Sequence, residues 1–166
     1  MKILCLAATV AGTVALLVPS SQVAAQATIH HNAPAVHFDE EERHHISVFT
    51  GATDIINHAE SAFTLGIDYE FRINRLVGLG FIAERAFGDI DATTLFAVTD
   101  IHLWRGLVTQ LGAGIESSHG ETYFAARIGA LYEIEISGGF TFAPQFHYDF
   151  SEEDSLVFGL SIGRAF

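Results

Sequence analysis

From residue 46 onward, large apolar side chains recur at every second position, with small or polar residues between them. The pattern is plainest at the end of the chain. Leu156, Phe158, Leu160, Ile162, Arg164 and Phe166 alternate with Ser155, Val157, Gly159, Ser161, Gly163 and Ala165. A period of two belongs to a β-strand, whose successive side chains point to opposite faces. The same alternation sets Phe63, Leu65, Ile67, Tyr69, Phe71 and Ile73 against Thr64, Gly66, Asp68, Glu70 and Arg72. Between such runs lie acidic or glycine-bearing segments with turn chemistry, and no run has helical spacing.

The pattern predicts eight strands, near 45–53, 63–73, 77–87, 93–104, 107–116, 123–136, 140–150 and 155–166. Each approaches the roughly 9–11 residues a tilted strand needs to cross a bilayer. Their connections alternate in kind. Acidic loops at 54–61, 88–91, 117–121 and 151–154 trade places with short turns at Asn74-Arg75, Arg105-Gly106 and 137–139. Outer-membrane barrels show this asymmetry, with longer loops outside the cell and short turns in the periplasm. The expected architecture is an all-β, eight-stranded antiparallel up-and-down transmembrane barrel over 46–166. A closed barrel is the β solution for lipid, because an open sheet edge leaves backbone groups unsatisfied there.

The preceding segments read differently. Met1-Lys2, an apolar run from Ile3 to Val18 and the Ala25-Gln26-Ala27 site predict a secretory signal peptide over 1–27. Residues 28–45 have no period, a proline and dense charge, and predict a disordered His- and acid-rich periplasmic leader. His30, His31, His37, His44 and His45 fall there. Imidazole beside carboxylate suits zinc or copper, yet their spacing fits no compact site, so they stand as weak metal candidates only. No cofactor is expected.

Charge removes further classes. The chain carries a formal net charge of −12, and its one lysine, Lys2, lies within the signal segment. No basic patch is available for nucleic acid. The single cysteine, Cys5, also lies in that segment, so the barrel owes nothing to disulfides.

A chain ending in the 156–166 alternation and Phe166 resembles the small eight-stranded outer-membrane barrels of the OmpX, OmpA-membrane-domain, OmpW and opacity-protein type. The resemblance spans 46–166. It implies a bacterial outer-membrane location, lipid and lipopolysaccharide as surroundings, and the barrel-insertion machinery as a partner in biogenesis. It also implies that Phe158, Leu160, Ile162 and Phe166 form the insertion signal. Arg164 stands where that signal usually has an aromatic or aliphatic residue, and the loops are shorter than those of adhesive members.

With apolar faces outward, the inward faces carry Asp68, Glu70, Glu84, Asp100, Glu116, Glu133, Glu135 and Asp149, with Arg72, Arg127, His102 and His147. Buried charges persist when they are paired and hydrogen-bonded. These twelve residues are therefore expected to form a lumen charge network with Arg127 at its hub, plugging a monomeric barrel of structural or interaction role. The excess of acid leaves room for protonated carboxyls or for cations at the ends, hence for a narrow cation-preferring, porin-like channel. A lipid A-modifying enzyme is a further alternative, since Glu116, Ser117, Ser118 and His119 supply the residue types of acyl transfer. However, neighbours in a strand point to opposite faces, which makes a poor triad, and no catalytic residue is assigned. His147 and Asp149 share a face but have no serine beside them. A soluble periplasmic calycin-like lipid binder needs the opposite orientation, with the phenylalanines inside.

Overall fold

A computed structural model of the chain describes residues 42–166 apart from 57. The expected signal peptide and most of the expected leader, including His30, His31 and His37, lie outside the described residues. The strands are β1 (His44–Ile55), β2 (Ser61–Arg72), β3 (Val77–Ala86), β4 (Ala92–Trp104), β5 (Leu107–Ser118), β6 (Glu121–Tyr132), β7 (Ile134–Ser137), β8 (Phe140–Phe150) and β9 (Ser155–Ala165). Every pairing is antiparallel. Sequential hairpins run from β1 to β6, β6 pairs with β8, β8 with β9, and β9 returns to β1. The result is a closed eight-stranded barrel in which β6 and β7 share one staveʼs place.

The division of that stave has a local cause. The registers Leu131↔Gln145 and Ile134↔Phe142 place Tyr132 opposite Pro144. A proline has no N–H to give to the ladder. On its other side Glu133 donates its N–H to the Gly106 carbonyl at 2.7 Å, extending the β5–β6 ladder, and pairing with β8 resumes as β7. All four residues of β7 are exposed, yet the register sets Glu135 opposite the inward, buried Thr141, so Glu135 keeps the lumen parity and stands at the open turn-end mouth.

Two other boundaries differ from expectation. β1 begins at His44, so His44 and His45 belong to the barrel and not to the leader. The ladder between β5 and β6 continues to Ser118↔Glu121, which shrinks the 117–121 loop to His119-Gly120. Here φ is +51° and +88°, both in the left-handed region that a tight I′ hairpin requires. Arg105-Gly106 and Gly138-Gly139 have the same signature.

Side-chain direction settles which face is which. Val48 and Phe81 are each 57% exposed and Phe124 71%, whereas Phe49 and Phe96 are 2% and 1% exposed inside the barrel. The outward rows include Phe63, Leu65 and Ile67 on β2, Leu111 and Ile115 on β5, and Phe158, Leu160 and Ile162 on β9. So large a continuous apolar surface suits hydrocarbon, and a soluble calycin-like binder would bury it. Aromatic contacts gather toward both rims: Phe63 with Phe87 at the loop end, His44 with Phe71 and Phe166 at the turn end. Arg164 lies over the Phe140 ring, 5.2 Å from its centroid. No helix among the described residues is long and apolar enough to cross a membrane.

Candidate functional site

The interior is a column of polar side chains, layered by strand register. Its central layer is built on Arg127 of β6. Register sets Arg127 against Asp149 on β8 and against Gly112 on β5, where the missing side chain leaves room for the guanidinium stem. Arg127 Nε donates to Asp149 Oδ1 at 2.7 Å and Nη2 to Asp149 Oδ2 at 2.6 Å. Across the barrel, Nη1 and Nη2 reach Glu84 Oε1 and Oε2 at 2.8 and 2.5 Å. Both acids are thus held by two parallel bonds, the strongest geometry an arginine offers. The face of Phe96 lies 4.6 Å from the guanidinium carbon and closes the remaining side. Ile82, Val98 and Ala125 pack with Phe96 in one buried cluster.

A second layer lies at the turn end. Arg72 Nε meets Glu70 Oε2 at 3.2 Å, and Arg72 Nη2 meets Glu133 Oε2 at 2.7 Å. His102 Nε2 sits 2.7 Å from Glu70 Oε1, and His45 Nε2 sits 2.8 Å from the Thr141 hydroxyl. Between the layers, the amide of Gln110 donates to Asp100 at 2.9 Å and to Asp68 at 3.3 Å. Asp68 Oδ1, Gln110 Oε1 and His147 Nδ1 are buried without a hydrogen-bond partner. His147 Nε2 lies 3.2 Å from Gln145 Oε1.

Of the twelve residues assigned to the lumen from sequence, ten are joined by contacts within one of these layers or packed beside them. Glu116 stands apart near the loop end, half-buried and accepting from Ser151 at 3.1 Å. Glu135 stands at the open turn-end mouth. Sequence reasoning omitted Gln110 and His45 from the network. Gln110 had a signal, since it falls on the inward parity of its strand. His45 had one too, since it opens the 45–53 run on the parity of Ser47 and Phe49.

The residues with acyl-transfer chemistry do not assemble. Ser118 Oγ lies 2.9 Å from His119 Nδ1, but the serine hydroxyl donates its proton to the Ile90 carbonyl at 3.0 Å. A hydroxyl has one proton to donate, so His119 must be the donor in its own bond with Ser118. That is the reverse of an imidazole activating a serine. At the other candidate pair, both oxygens of Asp149 are committed to Arg127.

The loop end opens as a cavity of about 270 Å³ walled by Glu60, Glu116, Glu121, Glu152 and Glu153 over a floor that includes Ile55 and Ile90. Its rim is tied by Tyr148 donating to Asp154 at 2.8 Å, and by Tyr123 donating to Glu121. Arg85 pairs there with Asp91 and donates to Thr93 at 2.6 Å.

No family model matches the chain, and no curated protein does. Solved structures do. The N-terminal β-barrel domain of Pseudomonas aeruginosa OprF superposes with a TM-score of 0.57 at 15% identity, over 74% of this chain and 97% of that one. Neisserial surface protein A gives 0.53 at 11% identity, over 74% and 96%. The Yersinia pestis outer membrane protein Ail, in a phospholipid bilayer nanodisc, gives 0.52 at 10% identity, over 75% and 100%. The fold is that of the small eight-stranded outer-membrane β-barrels.

Proposed function

We propose that this protein resides in the bacterial outer membrane as a monomeric barrel with a plugged lumen, serving a structural or interaction role and not transport or catalysis. The observation that carries the reading is the clamp of Arg127 on Glu84 and Asp149, with Phe96 over it. Eight-stranded barrels are narrow enough for side chains to fill. Here one guanidinium spans from β6 to both β3 and β8 and occupies the middle of the bore. The apolar outer rows supply the membrane-facing surface, and the turn end, with the beginning of β1, faces the periplasm.

On this reading Phe158, Leu160, Ile162 and Phe166 present one outward row to the insertion machinery. The acidic rim at the loop end faces the lipopolysaccharide. Both are anionic, so divalent cations bridge them, and lipopolysaccharide binding should be sensitive to a chelator.

Planar-bilayer recording tests the plug. Refolded protein should give no steady conductance, and Arg127→Ala should give brief, cation-preferring openings, since it leaves the acids of the bore in place. Steady cation-selective current from the unaltered protein would replace the plug with the narrow-channel reading, which the excess of acids over arginines favours.

A further inference from the structure

We propose a binding site for a divalent transition-metal ion of the zinc class at the turn end of the lumen, with His45, Glu70 and Glu133 as its ligands. One donor atom from each lies within 4.8 Å of the other two. The residues come from β1, β2 and the break between β6 and β7, so barrel closure brings them together from distant parts of the chain. A zinc-class ion would draw the three donors in to about 2.0–2.2 Å from itself.

Each ligand already has the partner that would aim it. The Thr141 hydroxyl engages His45 Nε2, which leaves Nδ1 for the ion. His102 holds Glu70 through Oε1, and Arg72 touches one oxygen of each glutamate, Oε2 in both. A carboxylate oxygen has two lone pairs, so these bonds leave coordination sites free. Outer partners of this kind, a hydroxyl on the histidine and cationic or imidazole donors on the carboxylates, are what ordered metal sites use. Imidazole with two carboxylates suits zinc and its neighbours better than calcium or magnesium, which favour all-oxygen sets.

Two independent observations point to an occupant. A cavity of about 20 Å³ lies among His45, Asp68, Glu70, Asp100, His102 and Glu133, enough for an ion or one water in its open coordination position. Asp68 lines that cavity, and its Oδ1 is shielded from solvent without a hydrogen-bond partner. Around the cavity stand the carboxyl groups of Asp68, Glu70, Asp100 and Glu133, with Arg72 bridging the two glutamates.

The test uses the full mature chain, refolded in detergent micelles, with Co²⁺ and Zn²⁺ as probes. One Co²⁺ per chain should bind, give a visible absorption band, and be displaced by Zn²⁺. His45→Ala and Glu133→Gln should each weaken binding ~10-fold or more. A combined His30→Ala, His31→Ala and His37→Ala variant, which strips the competing leader histidines, should keep the band. Glu133→Gln preserves an oxygen for Arg72, so it reports on the ion even where His45→Ala disturbs folding, and heat-modifiable gel migration verifies the barrel in each case. Absence of stoichiometric binding overturns the proposal. So does binding that survives His45→Ala and Glu133→Gln but vanishes with the leader histidines. Both results are independent of whether the barrel conducts.

Discussion

His44 and Phe166 join the two ends of the barrel: their rings stack with centroids 5.5 Å apart and planes 18° apart. Their backbones exchange both hydrogen bonds, His44 N–H to Phe166 O at 3.0 Å and Phe166 N–H to His44 O at 2.8 Å. The His44 ring also lies 2.7 Å from the Tyr69 hydroxyl through Nδ1 and 5.2 Å from the Phe71 ring. One side chain thereby ties β1 to its neighbour β2 and to the residue after β9.

From this contact, His44→Ala should destabilise the folded barrel by about 0.5–1.5 kcal/mol, the worth of an aromatic contact beyond its buried area. His44→Phe should recover much of that loss. Urea unfolding in lipid vesicles, followed by tryptophan fluorescence, is the measurement.

Arg127→Ala should cost about 3–5 kcal/mol, because it strands two buried carboxylates. Removing the charges together, as Arg127→Met with Glu84→Gln and Asp149→Asn, should cost markedly less than the single change. The same unfolding assay compares them, and equal losses would mean that the charges do not act as a unit.

Membrane placement predicts a depth profile. Leu111 faces outward at mid-strand, and Leu111→Arg should cost about 2–4 kcal/mol on folding into vesicles. Ile136 is exposed on β7 beyond the break. Ile136→Arg should cost about 0–1 kcal/mol, as at an interface. Similar penalties at both sites would contradict a membrane-spanning β5.

Gly78 bears on the turn-end layer, since a side chain there would collide with the Glu70 carboxylate. Gly78→Val should displace Glu70 from Arg72 and His102, lowering stability by about 1–3 kcal/mol. Loss of Co²⁺ binding should accompany it. Retained stability would show that Glu70 can move without cost.

Strand parity was readable from sequence because alternation reports directly on which face meets lipid. It sets Phe63, Leu65 and Ile67 on one face of their strand and Thr64 and Glu70 on the other, as the structure has them. Alternation keeps Glu135 on the face of Thr141, but nothing in the 123–136 run announces a ladder interrupted from across by Pro144. Arg127 could be picked as a hub from its mid-strand inward position. Its contact with Asp149 follows from adjacent strands, but the one with Glu84 depends on strand tilt and the width of the bore, which alternation does not encode. The leader and the first strand meet at His45 in sequence, and only the pairing of His44 and His45 with β2, and of His45 with β9, shows how far the ladder extends.

The hairpin at His119-Gly120 and the brief connections at 56–60, 87–91 and 151–154 leave little polypeptide above the bilayer. On the outer-membrane placement proposed above, with these connections facing outward, long lipopolysaccharide sugar chains cover the protein like a canopy. Antibodies and added proteases should reach it poorly there, and well in strains whose sugars are truncated.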